Sequence, residues 1–395
     1  MIDKIGNKCT GCYACVDSCP KGCIRMVENA EGFWFPEIDS NICVGCNLCE
    51  KHCPVLNEIP INKSEAAVKV YALVHKDEKV RKNSSSGGAF SAIAEYVLSQ
   101  GGVVFGAAFD ENFDVHHICV DDRADMYKLR GSKYVQSQIG DTYKQAKECL
   151  KSGRLVFFSG TACQTSGLIG YLGRDYDNLI TQDLICHGVP SPLAWRKYIK
   201  FREQLERSKV KNIFFRDKSF GWHDWHIAFH FDNGVEYKEN QREDMMIKSF
   251  LRGKCSRECC YDCKFKQKVR LADFTLADYW GIEHLAPELD DDKGISSCYV
   301  NSPKAARILD AIKDKVELRE MDLDSAVKYN MAMVESENMR KDRADFLQEL
   351  SHKSFDMVSG KYNDEIRTGT KVRWTLRRLM GNKVYDSIRN KLSRG

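Results

Sequence analysis

The sequence has no hydrophobic run long enough to cross a membrane. Its longest apolar stretch, GGVVFGAAF at residues 101–109, is half of the roughly 18 residues that a membrane helix needs, and it predicts a buried strand. The chain also lacks a basic start followed by an apolar segment, which is typical of a secretory signal. We therefore expect a cytoplasmic protein whose thiols are reduced or bound to metal.

Two further absences limit the function. The formal net charge is only +4 over 395 residues, so we expect no nucleic-acid partner. Neither G-x-G-x-x-G nor a Walker A sequence is present, so the usual dinucleotide and P-loop fingerprints are missing. The hydrophobic fraction of 43% is ordinary for a globular protein of two or three domains.

Cysteine, by contrast, is abundant, with 18 residues, and many of them form a repeat near the N-terminus. Two runs read C-x2-C-x2-C-x3-C-P, and each cysteine of the second lies 34 residues after its counterpart. The first run is Cys9, Cys12, Cys15 and Cys19, and the second is Cys43, Cys46, Cys49 and Cys53. This spacing predicts a bacterial-type two-cluster ferredoxin domain over residues 1–57.

The same spacing assigns ligands to two 4Fe-4S clusters. Three cysteines on one loop reach one cluster, and the fourth, beyond a turn, points to the other. The first cluster is predicted to bind to Cys9, Cys12, Cys15 and Cys53. The second cluster is predicted to bind to Cys19, Cys43, Cys46 and Cys49. A pair of zinc sites is the alternative, but such sites usually pair two CxxC units. Cys23 lies outside the pattern and is interpreted as a packing thiol.

Beyond a linker at residues 58–67, strands alternate with helices. This alternation predicts an α+β or α/β fold, in which the ferredoxin domain is followed by an α/β domain with a mixed, largely parallel sheet. The expected limits of that domain are residues 68–345. Ligands of such sheets bind beyond the carboxyl ends of the strands.

Two polar segments of this domain are candidates for binding a phosphate-bearing cofactor. A Ser/Gly loop opens a helix, and free N–H groups at a helix start favour an anion. A second segment, LRGSKYVQS, places a cation among serines. The candidate residues are Ser84, Ser85, Ser86, Gly87, Gly88, Ser132, Lys133 and Tyr134. Serine N-capping and a solvated loop are the alternative interpretations.

The segment KCSRECCYDCKFK, at residues 254–266, carries four more cysteines. Cys163 and Cys186 follow predicted strands, and with the CxxC pair Cys260 and Cys263 they make four thiols, the complement of one further cluster. A zinc site inside CSRECCYDC is the alternative. Cys255 and Cys259 then remain as extra thiols.

The sequence contains fewer signals for acid–base catalytic residues than for metal ligands. Asp183 and His187 flank Cys186, and Asp278 ends a predicted strand, so these three are the catalytic candidates. Hydrogen-bonded turn residues are the alternative for each.

Several stretches resemble the family formed by the beta subunits of coenzyme F420 hydrogenases and dehydrogenases. They include SSSGGAFSAIAEYVLSQGGVVFGAAFD, LRGSKYVQS, FFSGTACQ, DLICHGVPSP, CYDCKFK and FTLADYWGIE. The resemblance spans about residues 1–300, and it implies bound FAD and a further 4Fe-4S cluster whose CxxC ligands are Cys260 and Cys263. Ala162 and Ala277 depart from the Pro and Gly usual in the family, and neither is a candidate ligand.

The resemblance implies an iron–sulfur flavoprotein oxidoreductase that moves electrons between its clusters, FAD and an organic substrate or a deazaflavin-like coenzyme. Cell-surface polysaccharide metabolism is one setting that it implies. The alternative is an electron-transfer subunit that only feeds a partner enzyme. Expected partners are a ferredoxin or another oxidoreductase subunit, together with a small-molecule substrate.

The last segment, residues 346–395, is predicted to be a helical, basic tail. Apolar residues recur every four positions within residues 371–395, which also carry eight Lys or Arg against one acid. Such a helix could dock an acidic partner, contact a membrane surface or pack on the domain.

Overall fold

The computed structural model describes residues 2–61 and 63–363. One compact unit consists of the described residues up to 192 with Ser256–Asn338, and a second consists of Leu193–Cys255 with residues 339–363. The predicted domain limits remain predictions, and the basic helix predicted at residues 371–395 lies outside the described residues. None of the helices in the described part combines the length and the apolar composition that crossing a membrane requires.

The N-terminal segment folds as two similar halves. Its elements are a 3-10 helix at Ile2–Lys8, α1 at Ala14–Asp17, β1 at Ile24–Glu28, β2 at Trp34–Ile38 and α2 at Leu48–Lys51. Gly11 and Gly45 have φ of 69° and 67°, while Tyr13 and Asn47 have φ of 67° and 57°. Equivalent positions of the repeat therefore take the same left-handed turn. β1 pairs antiparallel with β2.

Residues 63–192 contain most of the elements of the larger sheet. They are a 3-10 helix at Glu65–Ala67, β3 at Lys69–His75, α3 at Glu78–Lys82, α4 at Ala89–Ser99, β4 at Val103–Phe109, β5 at Val115–Val120, a 3-10 helix at Arg123–Lys128, α5 at Thr142–Lys151, β6 at Val156–Ser159, α6 at Ala162–Leu172 and β7 at Leu179–Leu184. The alternation of strands and helices predicted here is confirmed.

The chain then enters the second unit. Its first elements are α7 at Pro192–Glu206, β8 at Val210–Asp217, β9 at His226–Phe231, β10 at Glu236–Asn240 and α8 at Met245–Leu251. The three strands form an antiparallel sheet in the order β10-β9-β8. The Trp195 ring packs against the Phe215 ring at 4.8 Å, and Asp244 caps α8 by accepting from the backbone N–H groups of Met246 and Ile247. These contacts give the unit a core of its own.

From residue 256 the chain returns to the first unit. The elements are a 3-10 helix at Glu258–Asp262, β11 at Phe274–Asp278, α9 at Ile282–Leu285, a 3-10 helix at Pro287–Leu289, β12 at Ser296–Val300, α10 at Pro303–Ala311, β13 at Val316–Met321, α11 at Leu323–Lys328 and a 3-10 helix at Met331–Met333. In the second unit, α12 at Arg343–His352 and α13 at Phe355–Tyr362 follow.

The large sheet has eight strands in the order β13-β3-β12-β11-β7-β6-β4-β5. Only the three central pairings, β11 with β7, β7 with β6 and β6 with β4, are parallel. A mixed sheet is confirmed, but the expectation of a largely parallel one is wrong. β4 and β5 pair antiparallel because the connection between them is too short for a crossover helix.

Helices cover both faces of this sheet. On one face, Ile93 and Val97 of α4 and Ile308 of α10 join a buried cluster with Phe157. On the other face, Tyr143 and Leu168 pack with Phe158 and with residues 12–14 of the ferredoxin segment. The carboxyl ends of the parallel strands β6 and β7 lead to Cys163 and Cys186.

The Ser/Gly loop before α4 approaches the sheet so closely that it requires glycine at position 87. A Cβ atom on Gly87 would lie 2.1 Å from the carbonyl oxygen of Leu73 and 2.5 Å from the backbone nitrogen of Ser296. Both neighbours belong to strand backbones and cannot swing aside. Gly87 also donates to Ser296 Oγ at 3.0 Å.

We predict that Gly87→Ala lowers the free energy of unfolding by about 1–3 kcal/mol, because the added methyl group must displace β3 or β12. The measurement is the thermal unfolding midpoint at equal iron content. Gly360→Ala is the control, since a Cβ atom there meets nothing within 4 Å on helix α13. An unchanged midpoint for Gly87→Ala would contradict the close approach.

Candidate functional site

The four cysteines predicted to hold the first cluster surround one cavity. Cys9, Cys12, Cys15 and Cys53 line a space of about 300 Å³ together with Ile2 and Ile5. All four are buried, and the Gly11 N–H group donates to Cys9 Sγ at 3.4 Å. The geometry therefore brings together the thiols that the repeat spacing selects.

These buried thiols require a cation if they are to ionise. Burial raises the pKa of Cys12 to about 12. Burial, and then the charges of Cys12 and Cys9, raise the pKa of Cys15 well above its usual value. Four thiolates in one apolar cavity repel one another, and iron would remove that repulsion by coordination.

A second cavity, of about 400 Å³, is lined by Cys19, Cys43, Cys46 and Cys49. These are the four cysteines predicted to hold the second cluster. In contrast to the first set, Cys46 is exposed to solvent. The second cluster site therefore lies nearer the protein surface.

Cys23 also lines the second cavity. It is 5% exposed, and its Sγ lies 3.3 Å from Cys19 Sγ. The packing role inferred from the sequence fits its burial, but this thiol also contacts a predicted ligand. Nothing in the C-x2-C-x2-C-x3-C spacing indicates that contact.

A third group of thiols gathers at the carboxyl ends of β6 and β7. Burial, and then the charges of Cys263, Cys186 and Cys260, raise the pKa of the Cys163 thiol well above its usual value. Burial and the charge of Cys260 raise the pKa of Cys186 to about 11. A Cβ atom on Gly188 would lie 3.3 Å from Cys260 Cβ, so the two loops touch.

The local structure explains how these thiols meet. Cys163 lies in the first turn of α6, which Thr161 and Gln164 close with a capping box. The Gly188 N–H group donates to Cys186 Sγ at 3.4 Å, so the loop after β7 turns back toward this sulfur atom. The 3-10 helix Glu258–Asp262 contains Cys260, and Cys263 is the residue that directly follows this helix.

The two extra cysteines of KCSRECCYDCKFK have different surroundings. A hydrogen bond of the Cys260 thiol with Cys259, and then burial, raise the pKa of Cys260 well above its usual value. Cys255 is fully buried and belongs to the second compact unit. Assignment of these thiols as ligands or non-ligands remains a prediction.

Two cations lie beside the third group. Lys266 Nζ donates to the carbonyl oxygen of Cys186 at 2.8 Å. Burial raises the pKa of Cys186, while the charges of Lys266 and Arg270 oppose that rise. A negatively charged group built on these thiols would therefore be stabilised electrostatically.

The three catalytic candidates occupy different environments. Asp183 is buried on β7, where it accepts from Thr275 Oγ1 at 2.5 Å and lies 3.7 Å from Arg270 Nη1. Burial raises its pKa, and the charge of Arg270 opposes that rise. His187 is exposed, and Asp278, at the end of β11, is partly buried. Their roles remain predictions.

The two candidate cofactor segments meet each other. The backbone N–H and the hydroxyl group of Ser132 both contact Ser85 Oγ, at 2.8 and 2.9 Å. The hydroxyl groups of Ser84 and Ser86 donate instead to the carbonyl oxygens of Val80 and Ile295. Ser84 and Ser86 thus hold the loop in place, and their hydroxyl protons are not directed at a ligand.

Lys133 gives this region a cation, and His75 gives it a buried hydrogen-bond donor. The Lys133 ammonium contacts carbonyl oxygens only at 3.2–3.4 Å, and burial lowers its pKa to about 7. Within residues 2–61 and 63–363, it forms no ion pair with a carboxylate. His75 Nδ1 accepts from the Asp77 N–H group, so the proton is on Nε2, which is buried and has no hydrogen-bond partner among the described residues.

His75 also lies against the start of α4. A Cβ atom on Gly88 would lie 2.9 Å from His75 Cβ, and Gly88 has φ of 95°. No side chain caps α4, and Arg130 Nε donates to Ser91 Oγ in the first turn of that helix. Tyr134, the last cofactor candidate, is partly buried beside Lys133. Sequence analysis missed His75 because an isolated histidine at a strand end has no distinctive pattern.

The first cluster site and the third group of thiols share one helix. A Cβ atom on Gly167 would lie 3.1 Å from Cys12 Sγ and 2.8 Å from Tyr143 Oη. Cys163 precedes Gly167 by one helical turn and therefore faces the same side of α6. Burial raises the pKa of Tyr143, and the charges of Cys12 and Cys163 raise it further.

Two family profiles match consecutive parts of the chain after the ferredoxin segment. The profile for the N-terminal part of the coenzyme F420 hydrogenase/dehydrogenase beta subunit matches residues 70–143, and the profile for its C terminus matches residues 153–326. The chain belongs to this family of beta subunits. A 4Fe-4S dicluster domain matches residues 8–57, which confirms the predicted ferredoxin domain.

Individual relatives cover parts of the chain. A subunit of the F(420)H(2) dehydrogenase from Methanosarcina mazei is 25% identical over 165 residues, which are 40% of this chain and 46% of that protein. The PorD subunit of pyruvate synthase from Methanothermobacter marburgensis is 39% identical over 55 residues, 14% of this chain and 56% of that protein. The chain thus spans about half the length of these relatives.

Among solved structures, a chain of the F420-reducing NiFe hydrogenase complex from Methanosarcina barkeri has 17% sequence identity and a TM-score of 0.44. The match covers 74% of this chain and 90% of that chain.

Cysteine substitutions test the third group of thiols. We predict that Cys260→Ser or Cys263→Ser lowers the iron content of anaerobically purified protein from about twelve to about eight per chain, because one 4Fe-4S cluster is lost. Cys255→Ser is the matched control from the same segment and should keep all the iron. Loss of iron in Cys255→Ser, with full iron in Cys260→Ser, would show that the ligand assignment is wrong.

Proposed function

We propose that the chain is an iron–sulfur flavoprotein oxidoreductase. It passes electrons between the two ferredoxin clusters, a third 4Fe-4S cluster and FAD, and from there to or from an organic substrate. The observation that carries this proposal is the position of the third thiol group. It lies one turn along α6 from the contact between Gly167 and Cys12 of the first cluster site.

The order of the sites supports a path for single electrons. The second cluster site includes the exposed Cys46, whereas all four ligands of the first site are buried. An external redox partner therefore exchanges electrons most readily at the second cluster. The four buried thiols of the first site would hold the next carrier, and the third thiol group, on the same face of α6, would hold the one after it.

The donor set of the third group supports an iron–sulfur cluster there. Cys163, Cys186, Cys260 and Cys263 are four thiols with mutually raised pKa values, and Lys266 and Arg270 supply positive charge beside them. Burial and the neighbouring thiolates raise the pKa of Cys263 to about 11. A tetrahedral zinc site would use the same thiols, so metal analysis distinguishes the two.

The loop before α4 suits the phosphate groups of FAD. Lys133 supplies a cation that contacts carbonyl oxygens, and α4 has no side-chain cap. The hydroxyl groups of Ser85 and Ser132 meet at this loop. His75 Nε2 supplies a buried donor that has no hydrogen-bond partner in the described part of the chain. When bound, the flavin accepts a hydride and releases single electrons, which couples the two kinds of transfer.

An electron-transfer subunit that only feeds a partner enzyme is the second candidate. The name of the Methanosarcina mazei relative, which describes one subunit of a dehydrogenase, favours it. Both functions share the clusters and the flavin. They differ in whether the isolated chain turns over a small molecule.

The test is anaerobic purification followed by iron, zinc and flavin analysis. We expect about twelve irons and one FAD per chain, and bleaching of the flavin band when dithionite is added in less than full reducing equivalents. About eight irons and no flavin absorbance would contradict the proposal. Reduction of a small organic molecule by the isolated chain would favour the enzyme over the subunit.

The Lys133 ammonium gives the FAD proposal a pH test. Its pKa of about 7 means that the charged form predominates below pH 7. Because a bound phosphate favours the charged form, FAD affinity should be greatest below about pH 7. It should then weaken by up to about tenfold per pH unit until the pKa of the bound state is reached.

Flavin fluorescence titrations of the flavin-free chain between about pH 6 and about pH 9 measure this dependence. In Lys133→Met the affinity should fall by about tenfold at low pH and lose its pH dependence. Lys128→Met is the control, because Lys128 is exposed and pairs with Asp125 at 2.8 Å. If FAD affinity has the same pH dependence in the natural chain and in Lys133→Met, Lys133 does not contact the bound FAD.

A further inference from the structure

Arg257, in the middle of the segment KCSRECCYDC, is one of the most enclosed side chains of the first unit. It is 1% exposed. Its guanidinium group donates to the carbonyl oxygen of Cys9 at 2.7 Å, to the carbonyl oxygen of Trp34 at 3.0 Å and to Gln136 Oε1 at 3.1 Å. Phe35 and Phe33 flank it, with the guanidinium carbon 4.2 and 5.4 Å from the ring centroids.

All of these hydrogen-bond acceptors are neutral. In the part of the chain that the structure describes, no carboxylate oxygen comes within 4.0 Å of the Arg257 guanidinium. Two other buried arginines of the first unit do pair with carboxylates: Arg81 lies 2.5 Å from Asp291, and Arg270 lies 3.7 Å from Asp183. A buried cation without an anion is strongly unfavourable, so a compensating negative charge has to come from elsewhere.

Two predicted cluster sites adjoin Arg257 and would each supply negative charge. The guanidinium is held on the carbonyl group of Cys9, a predicted ligand of the first cluster. The Arg257 carbonyl group accepts from the N–H group of Cys260, a predicted ligand of the third cluster. One residue thus joins the two cysteine loops through its side chain on one side and its backbone on the other.

Neighbouring residues are adapted to this arrangement. Gly11, between Cys9 and Cys12, has φ of 69°, and a Cβ atom there would lie 2.4 Å from Gln136 Nε2 and 3.1 Å from Arg257 Nη1. Gln136 Nε2 also donates to the carbonyl oxygen of Thr10 at 3.2 Å. The first cysteine loop of the ferredoxin repeat is therefore shaped to receive the guanidinium group.

We infer that Arg257 is a positioning residue that holds the first cluster loop against the third thiol group and balances the negative charge of the first cluster. A 4Fe-4S cluster on four thiolates is an anion. Reduction adds one electron, supplied by the external reductant, and takes up no proton at Arg257. A fixed positive charge beside the cluster therefore raises its reduction potential. The inference rests on the proposed function only where it invokes the third cluster, which is predicted to bind to Cys260.

The test is a redox titration of the full chain, purified anaerobically and monitored by electron paramagnetic resonance. In Arg257→Gln, one cluster wave should move to a lower potential by at least tenfold in its one-electron equilibrium constant, which corresponds to about 59 mV. Arg257→Lys keeps the charge, so its cluster potential should lie close to that of the natural chain. Arg25→Gln is the control, because Arg25 is exposed and lies on β1 of the same domain.

The possible outcomes separate clearly. Unchanged potentials in iron-replete Arg257→Gln would overturn the inference, and so would loss of the first cluster from both Arg257→Gln and Arg257→Lys, because charge would then not be the cause. Iron lost in Arg257→Gln and retained in Arg257→Lys would support it. A natural chain with eight irons and no flavin would refute the proposed function, yet the shift of the first cluster could still be measured.

Discussion

Residue 167 of helix α6 has no side chain, and Cys12 of the ferredoxin segment packs into the space that a methyl group would occupy. This contact places the first cluster site on the same helix face as Cys163, one turn away. The third thiol group is in turn tied to the ends of β6 and β7, because Cys163 and Cys186 follow those strands. The packing of the first cysteine loop against α6 thus includes a close approach that a side chain at residue 167 would force apart.

Charge is the second constraint on this unit. Buried thiols repel one another when they ionise, and burial alone raises the pKa of Cys12 to about 12. Positive side chains are correspondingly placed next to thiols, with Lys266 and Arg270 beside Cys186 and Arg257 beside Cys9. Iron and these cations together make the crowding of sulfur compatible with a stable fold. The same arrangement would stabilise negative charge at the first cluster site and at the third thiol group, which lie on one face of α6.

Much of the fold could be predicted because its signals are local. The C-x2-C-x2-C-x3-C spacing identifies the ferredoxin loops, and the helix predicted after the Ser/Gly loop is α4 at Ala89–Ser99. The direction of the outer strands was predicted less well. Pairing direction depends on which strands become neighbours in space, and β3 and β12, more than 200 residues apart, pair antiparallel. Arg257 was missed for the same reason, because its hydrogen-bond partners are more than 100 residues away in the sequence. His75 was missed because an isolated histidine at a strand end has no distinctive pattern.

The sequence by itself determined the chemistry that the chain can carry. Thiol number and spacing are properties of the covalent chain, and iron–sulfur ligation requires particular intervals between cysteines. Only the tertiary structure decided which separate segments meet. It placed Cys163 and Cys186 with the late CxxC pair, joined Ser85 to Ser132, and put the Arg257 guanidinium between two cysteine loops. These juxtapositions follow from the order of strands in the sheet and from burial of charge, and neither can be read from the spacing of residues along the chain.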